Sequence, residues 1–232
     1  MKVLGLIGGI SWVSTVDYYR LLNEGVNKKL GSNNFIECLI YSLNFQKIRD
    51  HLDNNNDWAA ITKMIVEAAK HLENGGAKAL VLCANTSHYI AEDLAKEIAI
   101  PIIHIATETA LEINKKKLKK VGLLGTKFTM QYDFFKDKLT EQGIEVIIPK
   151  HLEDIEFMHN TILDELGKGI IKDATRERYL NMISQLEDEG AEGIIAGCTE
   201  IPLIINKEDI SLPYFDTTKI HAKAAINFAL NG

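Results

Sequence analysis

The chain has 232 residues, 46% hydrophobic and 25% charged, with 26 basic against 32 acidic side chains and a net charge of −6. That is enough apolar material for one or two cores without disulfides, and the acidic balance leaves no basic face for nucleic acid or an anionic membrane. No stretch approaches the roughly 20 apolar residues of a membrane span, the first residues run into a strand pattern rather than a signal peptide, and the three cysteines read as thiols, so the expected location is the cytoplasm.

Taken in chain order, short apolar runs predict strands near 3–8, 35–42, 79–83, 101–105, 121–125, 144–148, 193–197 and 213–216. The runs are continuous rather than alternating, which fits parallel strands covered on both faces. Helical spacing recurs between them: Trp58, Ile61, Ile65, Ala68, Ala69 and Leu72; Ile155, Met158, Ile162, Leu163 and Leu166; Tyr179, Met182, Ile183 and Leu186. The turn-rich segment His51–Asp57 caps the next helix through Asp57. The basic run Lys115–Lys120 closes a helix before the strand at Val121. Cys38, inside an apolar run, reads as a core filler. Gly5, Gly8 and Gly9 lack the dinucleotide-binding spacing and the acid about 20 positions later. A Gly-Gly turn before Ser11 and a helix start is instead a cradle for a substrate carboxylate.

The chain repeats itself. Lys2–Gly8 returns as Lys120–Gly125, Gly76–Cys83 as Gly190–Cys198, and Ile100–Ile105 as Leu212–Asp216, at separations of roughly 110 to 120 residues. The predicted architecture is therefore α/β, with two similar pseudo-symmetric domains, each holding a parallel sheet of about four strands flanked by helices. The first domain is expected over 1–104 plus 213–232 and the second over 105–212.

Both Cys83 and Cys198 end buried apolar runs and precede small polar residues, the composition of a ligand-binding carboxyl edge of a sheet. A thiolate can take a proton from carbon and a thiol on the opposite face can return one, inverting a stereocentre without a cofactor. Each thiol then needs its pKa lowered from about 8.5 by N–H donors or a helix amino terminus. No Cys-x-x-Cys or spaced Cys/His set suggests a metal site.

At these residues the chain resembles the aspartate/glutamate racemase family, the cofactor-independent amino-acid racemases. The resemblance is carried by Gly8–Thr15, Asn85-Thr86-Ser87-His88, Leu124–Met130, Gly197–Pro202 and Phe215–His221. It implies an active site in the interdomain cleft, a homodimer, an acidic amino acid as substrate, no cofactor, and two catalytic cysteines, Cys198 and Cys83. It also implies that Ser11, Asn85, Thr86, Thr126, Thr129 and Thr199 hold the substrate's amino and carboxylate groups. Arg49 or Lys168 would meet a second carboxylate, and Glu200 would tune Cys198 or bind the ammonium. His88 and His221 read as structural hydrogen-bonding residues. One departure matters: the family's first cysteine stands directly before Asn-Thr, whereas this chain reads Cys83-Ala84-Asn85-Thr86. Alternation along an extended segment then turns Cys83 away from the slot unless a bulge returns it. The alternatives are a decarboxylase of the same superfamily using only Cys198 and a non-catalytic amino-acid binder.

Overall fold

Apolar runs too short to cover their own faces pair in parallel and bury themselves under helices. In the computed structural model, which describes residues 1–53 and 56–231, the elements in chain order are β1 (Leu4–Gly8), α1 (Trp12–Leu30), β2 (Cys38–Ser42), α2 (Phe45–Asp53), α3 (Trp58–Asn74), β3 (Ala79–Leu82), α4 (Ala91–Glu97), α5 (Ile105–Lys115), β4 (Lys120–Gly125), α6 (Lys127–Gln131), α7 (Asp133–Thr140), β5 (Glu145–Ile147), α8 (Leu152–Asp164), α9 (Asp173–Asp188), β6 (Ile194–Gly197), β7 (Tyr214–Asp216) and α10 (Thr217–Leu230). Among the described residues, no helix is long and apolar enough to cross a membrane. Two units emerge, Met1–His104 with His221–Gly232, and Ile105–Ile220.

The first unit carries a three-stranded sheet in the order β2-β1-β3, parallel throughout. On one face, Tyr18, Leu22 and Val26 of α1 and Ala222, Ala225 and Ile226 of α10 cover Leu4, Leu6, Ala79 and Val81. Gly25 lets α1 and α10 meet, because a Cβ there would overlap Ile226 Cδ1. On the other face, Ile61, Ile65, Ala68, Ala69 and Leu72 of α3 cover Ile7, Leu80 and Leu82. Asp57 accepts from the Ala60 N–H at 3.0 Å and caps α3 as expected, while Asn54 and Asn55 of that segment lie outside the described residues.

The second unit carries a four-stranded parallel sheet in the order β5-β4-β6-β7. Met158 and Ile162 of α8 with Tyr179, Met182, Ile183 and Leu186 of α9 cover one face. Ile105, Ala110 and Ile113 of α5 and Phe135 and Leu139 of α7 cover the other.

Two expectations are corrected. The segment 213–232, assigned whole to the first domain, is divided: β7 pairs with β6 through Ile194↔Tyr214, Ile195↔Phe215 and Ala196↔Asp216, and only His221 onward belongs to the first unit. Phe215 packs among Val121, Leu123 and Ile195, which explains why the strand stays with the second sheet. The strand expected at 101–105 is reduced to one bridge, Leu80↔Ile102, because Ile105 already starts α5.

The carboxyl-terminal helix is tied into the first unit by His221. Its Nε2 lies 2.6 Å from the Ile103 carbonyl and its Nδ1 2.7 Å from the Tyr18 hydroxyl. A carbonyl only accepts, so Nε2 carries the hydrogen and Tyr18 donates to Nδ1. Burial pushes this imidazole down to about 4, against a weaker raising effect of the Ile103 carbonyl. An unfolded histidine takes its proton near pH 6.5, so stability is complete above that value and is lost as the pH falls toward about 4. Thermal unfolding at pH 7 and pH 5 should show this loss, at about 1.4 kcal/mol per pH unit for such a group, and His221→Gln should flatten the dependence. Equal slopes in the two proteins would contradict the assignment.

Candidate active site

In the second unit the carboxyl edge of the sheet is built by a glycine pair. Gly125 lies across from Gly197 in the β4–β6 ladder. A Cβ on Gly197 would lie 2.8 Å from the Leu124 carbonyl oxygen, and one on Gly125 would lie 3.0 Å from the Gly197 carbonyl oxygen. The strands therefore stay close to their last residue, and Cys198 is the first side chain beyond the ladder. It continues the face of Ile194 and Ala196 and packs half-buried against the cluster containing Met130 and Tyr179.

Cys198 Sγ donates to Glu200 Oε2 at 2.8 Å, and the Thr199 hydroxyl donates to the same oxygen at 2.7 Å. Glu200 is only 7% exposed, so its carboxylate is held against the thiol rather than offered to solvent. Burial first, then the Glu200 charge and the hydrogen bond to it, push the thiol well above its ordinary range. The Glu200 and Thr199 backbone N–H groups pull the other way, toward the thiolate. The thiol thus keeps its proton in the resting protein. Thr126 caps α6 by accepting from the Thr129 N–H at 3.3 Å, and the two hydroxyls are 3.2 Å apart. Thr129 is fully buried and supports the cap. Lys168, exposed, pairs with Asp164 at 3.3 Å.

In the first unit, Gly9 takes a left-handed φ of 85° and packs so tightly on Leu43 that a Cβ would overlap its carbonyl oxygen. Behind it, Thr15 accepts from the Gly9 N–H at 2.8 Å and donates to the Ser11 carbonyl at 3.1 Å, fixing the turn before α1. Ser11 is the N-cap residue of α1 and makes no side-chain cap bond there. Asn85, 5% exposed, and Thr86 open a 3₁₀ turn, Thr86–Ile90. Arg49 sits half-buried on α2.

The structure places Cys83 in the core of the first unit. It is 1% exposed, lies on the face of Ala79 and Val81, and packs with Leu4, Leu6 and Ile103. Its N–H still bonds the Ile7 carbonyl at 2.9 Å, so no bulge interrupts the register. Burial, with the Cys38 thiol as a smaller influence, pushes its pKa far above the ordinary thiol range. The ladders explain why. In the first sheet Ile7 pairs with Leu82, so the next pair sets Gly8 against Cys83; in the second sheet Gly125 pairs with Gly197. Gly8 and Gly125 are equivalent in the repeat, so Cys83 matches Gly197 and Ala84 matches Cys198.

Within the second unit Cys198, Thr199 and Glu200 come together, as do Thr126 and Thr129; within the first, Asn85 and Thr86 adjoin Ala84. Sequence reasoning linked Glu200 to Cys198 as a tuning group or an ammonium ligand; the structure adds the direct hydrogen bond between the two side chains. Among the described residues, no group of three or more His, Cys, Asp or Glu side chains is placed to hold a metal ion.

These features can be set beside known proteins. The Asp/Glu/hydantoin racemase family model matches residues 7–225. A Yersinia pestis crystal structure described as that of a candidate Asp/Glu racemase is 43% identical, with a TM-score of 0.92 over 99% of this chain and 100% of that one. An aspartate racemase homologue from Pyrococcus horikoshii is 37% identical, with a TM-score of 0.84 over 99% of each chain. The broad specificity amino-acid racemase RacX of Bacillus subtilis is 24% identical over 97% of both chains. With its two α/β units and a match across nearly its whole length, the chain belongs to the Asp/Glu/hydantoin racemase family.

Proposed function

We propose that this protein is a cofactor-independent racemase of aspartate or glutamate, working in the cytoplasm as a homodimer, in which Cys198 is the thiol that exchanges the α-proton. The observation that supports it most is the Cys198 thiol at the carboxyl end of β6 with the Glu200 carboxylate 2.8 Å from its sulfur. A thiol must lose its proton before it can act as a base. Transfer to Glu200 leaves the net charge of the pair unchanged, whereas loss to solvent sets two negative charges side by side. The thiolate then takes the α-proton, and the substrate carbanion is stabilised by N–H and hydroxyl donors around its carboxylate.

The amino terminus of α1 beside Ser11, the hydroxyls of Thr86, Thr126 and Thr199, and the Asn85 amide are the groups assigned to the amino and carboxylate ends of the substrate. Arg49, with no ion pair among the described residues, is the better of the two cations for a second carboxylate, since Lys168 is already paired with Asp164. Thr129 and Glu200 act behind the binding groups. On the opposite face, Ala84 carries no proton, so protonation there passes through water. A single thiol also fits a decarboxylase that protonates a carbanion, and loss of carbon dioxide from the substrate would mark that reading.

Replacing Cys198 by Ala should abolish α-hydrogen exchange with deuterated water on whichever enantiomer is accepted, with the circular dichroism spectrum retained. Most of the exchange surviving in this variant would refute the mechanism. Glu200→Gln removes the internal proton acceptor while keeping the shape. Exchange at neutral pH should fall about 10²–10⁴-fold, and the remaining rate should climb with pH as the thiol ionises into solvent, while the unmodified protein stays flat over the same range. Parallel pH profiles for the two proteins would remove Glu200 from the proton path.

A further inference from the structure

His88 takes no part in the proposed proton transfer, yet it is 1% exposed and placed with care. Its Nδ1 lies 3.1 Å from the Ala84 carbonyl. Because a carbonyl only accepts, Nδ1 carries the hydrogen, and Nε2 is a buried lone pair with no hydrogen-bond partner among the described residues. The ring meets two other imidazoles edge-on, His104 at 4.9 Å and 72° and His221 at 5.3 Å and 69° between centroids and planes. His104 is the last residue before the chain leaves the first unit, and His221 is the first after it returns. His221 is itself fixed by Ile103 and Tyr18. Burial, then His104 and His221, hold the His88 imidazole well below its ordinary value, against smaller raising effects of the Ala84 and Asn85 backbone, so it is neutral and its single N–H is turned to this backbone, with the Ala84 carbonyl at 3.1 Å. One buried ring therefore touches both passages of the chain into this unit and grips the residue just before Asn85 and Thr86.

We propose that His88 is a positioning residue that holds the substrate-binding segment Ala84–Thr86 through the Ala84 carbonyl, its own ring being set in place by His104 and His221. What the segment binds rests on the racemase reading; the positioning does not. A Phe or Leu would fill this volume without leaving an unmatched lone pair, and buried polar atoms without partners are rare enough to require a cause. Here the cause is the N–H on the other side of the ring.

Two variants separate the hydrogen bond from the packing. His88→Phe keeps a ring against His104 and His221 and loses the N–H; His88→Asn keeps a donor near the Nδ1 position and loses most of the ring. Backbone amide hydrogen exchange and steady-state kinetics on the preferred enantiomer are measured for both. In His88→Phe the amides of 85–88 should exchange faster while the strands β1 and β3 keep their protection. KM should rise about 10-fold, more than kcat falls, as expected when ground-state binding is lost. His88→Asn should restore both toward the unmodified protein. Unchanged amide exchange at 85–88 in His88→Phe, loosening spread evenly over the whole first unit, or an Asn variant no better than Phe would each overturn the proposal. If His88→Phe does not fold, the Asn variant decides alone: protection kept at 85–88 supports the hydrogen bond and protection lost refutes it. Should the unmodified protein exchange no amino-acid α-hydrogen at all, the racemase reading fails while the amide exchange still settles the role of His88.

Discussion

In a parallel sheet covered by helices on both faces, every strand side chain is committed to a core, and only beyond the last ladder pair does one become available for chemistry. That constraint organises this molecule. In the second unit the ladder ends at Gly125 and Gly197, and Cys198 is the next residue. In the first the last ladder pair is Ile7 and Leu82; Cys83, which takes the place of Gly197, packs beneath α1 and α10, and Ala84 stands where Cys198 stands in the second. A shift of one residue along an extended chain reverses the side chain's direction. The repeat that makes the halves alike therefore leaves them chemically unequal.

The same geometry explains the state of the Cys198 thiol. Cys198 is half-buried at the edge with the Glu200 carboxylate at hydrogen-bond distance, so its proton is held in the resting protein. Cys83, by contrast, is 1% exposed and packed among apolar side chains. Tyr179, packed behind the pair and donating to the Met158 carbonyl at 3.3 Å, keeps its proton because burial raises its pKa beyond the ordinary phenol range. The side chain behind Cys198 thus stays neutral.

Much of this was legible in the residues. Continuous apolar runs located the strands and showed them to be parallel, and the repeat located the two halves. The strand at 213–216 was located but assigned to the first domain, since pattern alone does not say which sheet edge a strand joins; Phe215, buried among Val121, Leu123 and Ile195, decides it. The Cys83-Ala84-Asn85 departure was visible as a register question, but its answer needed the Cys83 N–H on Ile7 and the packing of the thiol. The grouping of His88, His104 and His221 was not legible, since these residues are far apart in sequence and meet only where the chain leaves and re-enters the first unit.

The claim that one edge carries a thiol and the other an alanine is tested most directly by following α-proton exchange from the separate enantiomers of aspartate and glutamate in deuterated water. Exchange should be much faster from one enantiomer than from its mirror image, because a missing positioned acid or base costs about 10²–10⁴-fold at one face, and Ala84→Cys should narrow the gap. Equal exchange from both enantiomers, with Ala84→Cys without effect and Cys83→Ala as damaging as Cys198→Ala, would show that Cys83 reaches the substrate after all and would contradict the account.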